Sequence, residues 1–335
     1  MNRYILVFTL VIASFGAQAS NLINDERIKK QTDCFSKIFS DYDSWRGFIE
    51  KKYRKRAKSD TKVEQKLAQF DVIFGKEKFN YFKDKLACRN FEYSVDGQAV
   101  YGYVIKPKLA KNDLPVLIYN RGGNGGFGGV VLGAMIQNLF PIAEKGFVII
   151  GSQYRGTFTK DDSLDQFGGK DVDDVIALLD YIPSIEGADH NRIGMYGASR
   201  GGMQTHLATK RIKNIKAIAT LAGPSDLLKG LTYRPKMEKV FKHRIPDYEK
   251  NKVSELEKRS VLSWVDELSA DVPILLLHGT NDKRVSVNHS IDLADALSKH
   301  KIPHKLVLYP EDNHGLMQNK EKANIELVNW FREYL

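Results

Sequence analysis

Cysteine is scarce in this chain of 335 residues, which contains only Cys34 and Cys88. Two cysteines so far apart lack the spacing of a zinc site, so the sequence predicts no structural metal. Proline and glycine, with 10 and 26 residues, are too few for a collagen-like or low-complexity chain. Hydrophobic residues make up 42% of the chain and charged residues 27%. That composition supplies a full buried core and excludes a chain that is disordered by composition.

Long apolar runs are also missing, with one exception at the start of the chain. Asn2-Arg3 gives a short positive start, residues 4–15 are almost entirely apolar, and Ala17-Gln18-Ala19 has the small-x-small pattern of a cleavage site. The apolar run is too short to span a bilayer comfortably. We therefore expect residues 1–19 to be a signal peptide cleaved after Ala19, with an uncleaved anchor as the alternative. The expected location is secreted or periplasmic.

Export changes the interpretation of the two cysteines. Disulfides form in oxidising compartments outside the cytosol. We therefore expect a bridge between Cys34 and Cys88, and two buried, unpaired thiols are the alternative.

Basic residues are concentrated near the start of the chain. With 51 Lys and Arg against 41 Asp and Glu, the formal net charge is +10. Residues 20–90 hold 18 Lys and Arg against 11 Asp and Glu, whereas residues 91–335 are nearly neutral. The densest basic run, residues 51–58, suggests a weak contact with an anionic surface, but a solvated helix face is the favoured alternative. We expect no nucleic-acid partner, because the larger part of the chain is close to neutral.

The hydrophobic pattern divides the chain near residue 90. Apolar residues recur at helical spacing in residues 20–90, which predicts a small helical segment. From residue 91 onward, unbroken apolar runs alternate with helical patterns, and such runs are typical of strands that are buried on both faces. This pattern predicts an α/β fold, with a mostly parallel central sheet and helices on both faces. Residues 224–271 break the alternation, and we expect them to form an inserted cap over the carboxyl edge of the sheet.

Asp96-Gly97 is the expected turn of a hairpin between the first two predicted strands. The predicted strands are residues 91–95, 99–105, 115–119, 147–150, 193–196, 217–221, 273–277 and 305–309.

The sharpest local signal is Gly197-Ala198-Ser199-Arg200-Gly201-Gly202, which lies between a predicted strand and a predicted helix. This is the G-x-S-x-G pattern in the context that gives it meaning, because a serine on a sharp turn presents its Oγ above the sheet. Its neighbours must lack side chains so that the backbone can pass closely. Ser199 is therefore the candidate nucleophile, and a glycine-rich turn without catalytic function is the alternative.

A serine hydroxyl needs a base, and the base needs an orienting acid. In sheets of this kind the chain order is serine, acid, histidine. Asp282 follows the predicted strand at residues 273–277, and His314 follows the strand at residues 305–309, so both side chains belong to the edge where sites form. We predict Asp282 as the acid and His314 as the base.

The reaction also requires donors for the oxyanion. One is the backbone N–H of Arg200, directly after the serine. The other is expected from Gly122 and Gly123, in the glycine-rich loop after the strand at residues 115–119. A phosphate cradle is the alternative for that loop, but the chain lacks the dinucleotide and Gly-Lys-Ser/Thr patterns. Arg121 and Asn124 of the same loop are candidate substrate-binding residues.

Residues 91–335 resemble the α/β-hydrolase catalytic domain of the prolyl oligopeptidase family of serine peptidases. The matching motifs, in chain order, are Gln153-Tyr154-Arg155-Gly156, Phe167-Gly168-Gly169-Lys170-Asp171, Asp189-His190-Asn191-Arg192-Ile193, the Ser199 motif, His278-Gly279-Thr280-Asn281-Asp282-Lys283-Arg284-Val285, and Asn313-His314-Gly315. The resemblance implies a triad of Ser199, Asp282 and His314, without metal or organic cofactor.

Two departures from the family bear on the reaction. Residues 20–90 are too few and too helical for the β-rich domain that family peptidases typically carry, and Arg121 stands where some members use a tyrosine donor. We expect a secreted serine hydrolase that cleaves peptide or aminoacyl bonds of small substrates. A carboxylesterase is the first alternative, and a non-catalytic binding protein on a hydrolase scaffold is the second.

Overall fold

The structure is a computed structural model that describes residues 21–57, 59–159 and 161–335. The predicted signal peptide lies outside the described residues, as does Lys58 of the basic run. No helix in these three described ranges is long and apolar enough to cross a membrane.

Nine strands form one sheet in the part of the chain that the structure describes, with the order β1-β2-β3-β5-β4-β6-β7-β8-β9. The strands are β1 (Lys30–Asp33), β2 (Leu86–Val95), β3 (Gln98–Pro107), β4 (Leu114–Asn120), β5 (Val148–Ser152), β6 (Ala188–Ala198), β7 (Ala217–Leu221), β8 (Ile274–Gly279) and β9 (His304–Tyr309). Pairing is antiparallel from β1 to β5 along this order and parallel from β5 to β9. Asp96 and Gly97 join β2 and β3 with φ of 53° and 74°, as a tight hairpin turn requires.

Helices cover both faces of this sheet. They are α1 (Tyr42–Arg54), α2 (Asp60–Phe74), α3 (Lys76–Lys85), α4 (Leu132–Asn138), α5 (Phe140–Ala143), α6 (Asp171–Ile176), α7 (Arg200–Thr209), α8 (Leu227–Tyr233), α9 (Met237–Arg244), α10 (Tyr248–Lys258), α11 (Asn288–Lys299) and α12 (Lys320–Tyr334). Short 3-10 helices lie at Lys37–Phe39, Asp162–Leu164, Ala177–Ser184, Val261–Ser263 and Val265–Glu267.

The two faces of the sheet carry separate hydrophobic cores. Alternate residues of one strand point to opposite faces, so Ile118 of β4 packs with α6, α7 and α11, while Leu117 packs with α4, α5 and α12. The central strands are apolar on both faces for this reason. The predicted α/β class with a mostly parallel sheet is therefore confirmed.

The predicted helical segment, residues 20–90, is not helical throughout. It has the three helices α1–α3, but it also contains β1 and the first residues of β2, which form the antiparallel edge of the sheet. The sequence pattern does not predict β1, because a four-residue strand with half-exposed side chains has little apolar periodicity.

Helices α1–α3 share a core with the rest of the chain. Trp45, Phe70 and Phe79 lie in the same cluster as Met135 and Phe140, which belong to α4 and α5. Cys34, after β1, is disulfide-bonded to Cys88 of β2. Residues 21–57 and 59–90 are consequently part of the domain rather than an independent appendage.

The predicted cap segment, residues 224–271, contains α8, α9 and α10 followed by two 3-10 helices. Its apolar side chains form a small third cluster, in which Leu227, Phe241 and Leu256 pack against Phe167 and Met203. Because Met203 belongs to α7, the helix that follows Ser199, this cluster joins the cap segment to the candidate site.

The shared core predicts that a buried aromatic of α1 stabilises the whole domain. Trp45 is 4% exposed, and its ring centroid lies 4.8 Å from those of Phe70 and Phe74. We expect Trp45→Ala to lower the free energy of unfolding by about 3–5 kcal/mol in urea titrations. Phe48→Ala on the same helix, where the ring is 38% exposed, is the control and should cost about 0.5 kcal/mol or less. Equal losses for the two variants would contradict the shared core.

Candidate active site

Ser199 lies at the sharp turn between β6 and α7 with φ 57° and ψ −126°, a strained conformation for a residue with a side chain. The turn is possible because two glycines let the backbone approach itself. A Cβ on Gly197 would lie 2.0 Å from the Gly201 carbonyl oxygen, and one on Gly201 would lie 1.9 Å from the Asn120 carbonyl oxygen. Any larger residue at either position would push the serine out of place.

Asp282 and His314 meet at the carboxyl edge of the sheet, in the loops that follow β8 and β9. His314 Nδ1 lies 2.6 Å from Asp282 Oδ2. The other carboxylate oxygen accepts the backbone N–H groups of Arg284 at 2.7 Å and Val285 at 3.1 Å. With Nδ1 donating to the carboxylate, Nε2 of His314 carries the free lone pair of a neutral imidazole. That is the tautomer a general base needs.

A second histidine, His278, contacts the same carboxylate. Its Nε2 lies 3.1 Å from Asp282 Oδ2, and its Nδ1 lies 2.7 Å from Ser290 Oγ, with the ring fully buried. Burial alone would raise the pKa of Asp282, but the hydrogen bonds from His278 and His314 outweigh it and hold that pKa well below its usual range. The position of His278 at the end of a predicted strand indicates a structural rather than a catalytic residue, but its contact with Asp282 is not visible in the sequence.

The glycine-rich loop passes directly against the serine. A Cβ on Gly122 would lie 3.1 Å from Ser199 Cβ and 2.9 Å from the Ala198 carbonyl oxygen, and Gly123 has a φ of 77°. The structure thus brings Gly122 and Gly123 together with Ser199 and its neighbour Arg200. This juxtaposition is the one that backbone donation to an oxyanion requires.

Ser199 and His314 line one cavity of about 550 Å³. On one side its wall comes from the cap segment and is mostly apolar, with Leu227, Tyr233, Met237, Val240 and Phe241. Asn124 also lines the cavity, and its Oδ1 accepts from Arg244 Nε at 3.3 Å. Its predicted role in substrate binding stays a prediction. The arrangement can hold an apolar acyl group beside a serine and an oriented imidazole.

Comparison with known proteins identifies the family. The model of the prolyl oligopeptidase family, Peptidase_S9, matches residues 134–335. The chain belongs to the prolyl oligopeptidase family.

Two curated relatives illustrate how much of the chain is shared. The uncharacterized peptidase YtmA of Bacillus subtilis (strain 168) is 26% identical over 242 residues, which are 72% of this chain and 91% of that protein. Dipeptidyl-peptidase 5 of Porphyromonas gingivalis is 26% identical over 246 residues, 70% of this chain and 35% of that protein. Both relatives are named as peptidases. Together with the family match, this makes the chain a serine hydrolase.

Solved structures agree on the fold. The acylaminoacyl peptidase of Pyrococcus horikoshii has a TM-score of 0.65 and 21% sequence identity, with 76% of this chain and 43% of that chain covered. The fold of the chain is therefore that of the α/β-hydrolases. The match spans less than half of dipeptidyl-peptidase 5 and of the acylaminoacyl peptidase, and nearly all of YtmA.

The prediction that Arg121 binds substrate is wrong, because its guanidinium is 1% exposed and holds the glycine-rich loop together. It donates to four backbone carbonyl oxygens and to the hydroxyl of Thr157. Its partners are Gln153 O at 2.8 Å, Gly122 O at 2.9 Å, Phe127 O at 3.1 Å, Gly125 O at 2.8 Å and Thr157 Oγ1 at 2.6 Å. Burial and the nearby charge of Arg200 lower the pKa of Arg121. The guanidinium therefore ties the glycine-rich loop to the segment that follows β5.

The side chain of Arg200 is likewise structural. Its Nη2 lies 2.6 Å from Asp165 Oδ1 and 2.5 Å from Asp171 Oδ2, and all three residues are buried. Burial opposes ionisation of Asp165, but the charge and hydrogen bonds of Arg200 prevail and lower the pKa of Asp165 to about 2. Asp165 also accepts the Gly125 N–H at 2.6 Å. This unpredicted carboxylate joins the serine turn to the glycine-rich loop.

The structural role of Arg121 can be separated from a substrate-binding role. We expect Arg121→Met to lower the free energy of unfolding by about 3 kcal/mol, since it leaves buried carbonyls without donors. We expect kcat/KM to fall by similar factors for substrates with and without a carboxylate. Arg56→Met, at an exposed position, is the control. A selective loss of carboxylate-bearing substrates at unchanged stability would show instead that Arg121 binds substrate.

Proposed function

We propose that the protein is a secreted serine hydrolase that cleaves peptide or aminoacyl bonds of small substrates through an acyl-enzyme on Ser199. The observation that carries the proposal is the 2.6 Å contact between His314 Nδ1 and Asp282 Oδ2, beside a cavity that both His314 and Ser199 line. A serine on a strained turn together with an oriented imidazole is the arrangement that acyl transfer needs.

In the proposed mechanism, Ser199 Oγ attacks the carbonyl carbon of the substrate while His314 Nε2 takes the hydroxyl proton. The tetrahedral intermediate collapses when His314 returns this proton to the leaving amine or alcohol. Water then attacks the acyl-enzyme by the same route, which releases the acid and restores Ser199. Asp282 stays ionised throughout and stabilises the imidazolium, as its lowered pKa allows.

The oxyanion of each tetrahedral intermediate is proposed to accept from the backbone N–H of Arg200 and from the Gly122–Gly123 segment. Each such donor contributes on the order of 3 kcal/mol to the transition state. The loop that carries the glycines is fixed by the buried side chain of Arg121, and the Arg200–Asp165 ion pair joins that loop to Ser199. The donors are therefore preorganised before substrate arrives.

A carboxylesterase is the second candidate, and the burial of Arg121 favours it. The residue aligned with the tyrosine donor of some family members is enclosed in the loop, so no side chain from this position reaches the oxyanion. Fewer oxyanion donors suit an ester better than an amide, because the ester is the more reactive acyl compound. The apolar wall of the cap segment fits the acyl group of either substrate.

Export is also part of the proposal. The disulfide between Cys34 and Cys88 supports it, because such bonds are rare in the reducing cytosol and persist in secreted or periplasmic proteins.

A phosphonofluoridate activity probe tests the nucleophile. We expect stoichiometric labelling of the wild type and none of Ser199→Ala, since the probe reacts only with an activated serine. Ser94→Ala, which removes an exposed serine of β2, is the matched control and should be labelled like the wild type. Equal labelling of wild type and Ser199→Ala, measured by mass spectrometry, would contradict the assignment of Ser199 as the nucleophile.

Paired substrates with one acyl group decide between the two reactions. We expect measurable kcat/KM for both an aminoacyl amide and the corresponding ester, with the ester faster. If the protein hydrolyses the ester but not the amide, the peptidase proposal is contradicted and the carboxylesterase proposal is supported.

A further inference from the structure

The cavity has a second wall that the proposed reaction does not yet use. It includes three residues of α12, and we call it the α12 lobe. Its residues are Tyr119, Asn138, Tyr196, Lys320, Asn324 and Leu327. The wall of the cap segment carries one cation, Arg234, among mostly apolar side chains, whereas this lobe carries an ammonium, two amides and two phenols.

The charge of the cavity has one sign. Among the lining residues, all of them in the described part of the chain, four are Lys or Arg and none is Asp or Glu. Arg200 is neutralised by Asp165 and Asp171. Lys320 instead donates to Asn138 Oδ1 and, like Arg234 and Arg284 on other parts of the wall, forms no ion pair with any residue that the structure describes. Its ammonium is therefore available to an anion that enters the α12 lobe.

Lys320 is half-buried, and this burial together with the charge of Lys78 on α3 lowers its pKa. Both effects disfavour an ammonium without a counter-charge, and an anion bound in the lobe would relieve both. Lys320 is also the first residue of the 15-residue helix α12, whose N-terminal dipole end favours negative charge.

A buried phenol in the lobe has unused hydrogen-bonding capacity. Tyr196 is 2% exposed, and its Oη has no hydrogen-bond partner among the described residues. A buried hydroxyl without a partner costs free energy, so a ligand oxygen that accepts from Tyr196 would be stabilising. This observation is independent of the charge of Lys320.

We propose that the α12 lobe is a subsite for a carboxylate group of the substrate, bound by Lys320 with Tyr196 as a hydrogen-bond donor. The inference rests on the proposed function, because it assigns a substrate class to the same cavity. Since the scissile carbonyl must sit at Ser199, an apolar group occupies the cap side and the carboxylate occupies the α12 lobe. The substrate is then an acylated amino acid or short peptide with a free carboxyl terminus, or an acyl group that ends in a carboxylate.

Two substrate pairs test the subsite and show which part of the substrate enters it. N-acetyl-phenylalanyl-alanine and its amide differ by a carboxylate on the leaving group. N-succinyl- and N-acetyl-phenylalanine p-nitroanilide differ by a carboxylate on the acyl group. We expect wild type to prefer the carboxylate form of one pair by about tenfold or more in kcat/KM, as a charge-assisted hydrogen bond in a half-buried site allows.

Lys320→Met should reduce this preference to about one, and Lys320→Gln is the second variant should Lys320→Met not fold. Lys322→Met removes an exposed lysine of the same helix and is the control that should keep the wild-type preference. Persistence of the preference in the Lys320 variants, or equal kcat/KM for both members of both pairs in wild type, would overturn the subsite.

Probe labelling separates this inference from the proposed function. If wild type reacts with the phosphonofluoridate and hydrolyses the neutral substrates without a carboxylate preference, only the subsite fails. If wild type neither reacts with the probe nor hydrolyses any of the four substrates, the proposed function fails as well.

Discussion

The backbone approach between the Ser199 turn and β4 is the constraint on which the rest of the site depends. With the Gly201 Cα against the Asn120 carbonyl, there is no room for a side chain, and Ser199 is held in a conformation that it would not adopt alone. The strain persists because β4 and β6 are neighbours in the centre of the sheet, where residues 116–118 and 193–197 are buried. A packed core thus supplies the free energy that keeps one half-buried hydroxyl on the wall of the cavity.

Buried ions extend this constraint to the surrounding loops. Arg200, beside the serine, pairs with Asp165, and Asp165 accepts the Gly125 N–H of the glycine-rich loop. Arg121 then holds that loop through its carbonyl oxygens. Breaking one member of such a network leaves uncompensated buried charge or unpaired carbonyls. The side chains of Arg121 and Arg200 consequently fix the geometry of the site.

Much of the sheet and the candidate triad could be predicted because their signals are local. The strand positions from β4 to β9 follow from unbroken apolar runs, and Ser199 follows from glycines on either side of it in sequence. Asp282 and His314 could be predicted from the chain order of serine, acid and histidine, since each residue lies in the loop after a predicted strand.

The remaining features depend on pairing between distant residues. Strand β1 is defined by its partner β2, more than fifty residues away, and its own pattern is weak. Nothing near Arg121 in sequence indicates that Thr157 and Gln153 surround it. His278 and Lys320 likewise acquire their surroundings only when the carboxyl ends of the strands and the start of α12 meet at one edge of the sheet.

The central claim, that Ser199 carries the acyl group during turnover, is tested most directly by trapping that intermediate. Wild-type protein is mixed with a neutral acyl ester, quenched in acid during turnover, digested and analysed by mass spectrometry. We expect the peptide that contains Ser199 to be heavier by the mass of the acyl group. Continued product formation with the acyl group on another residue, or with no acylated protein at any quench time, would contradict it.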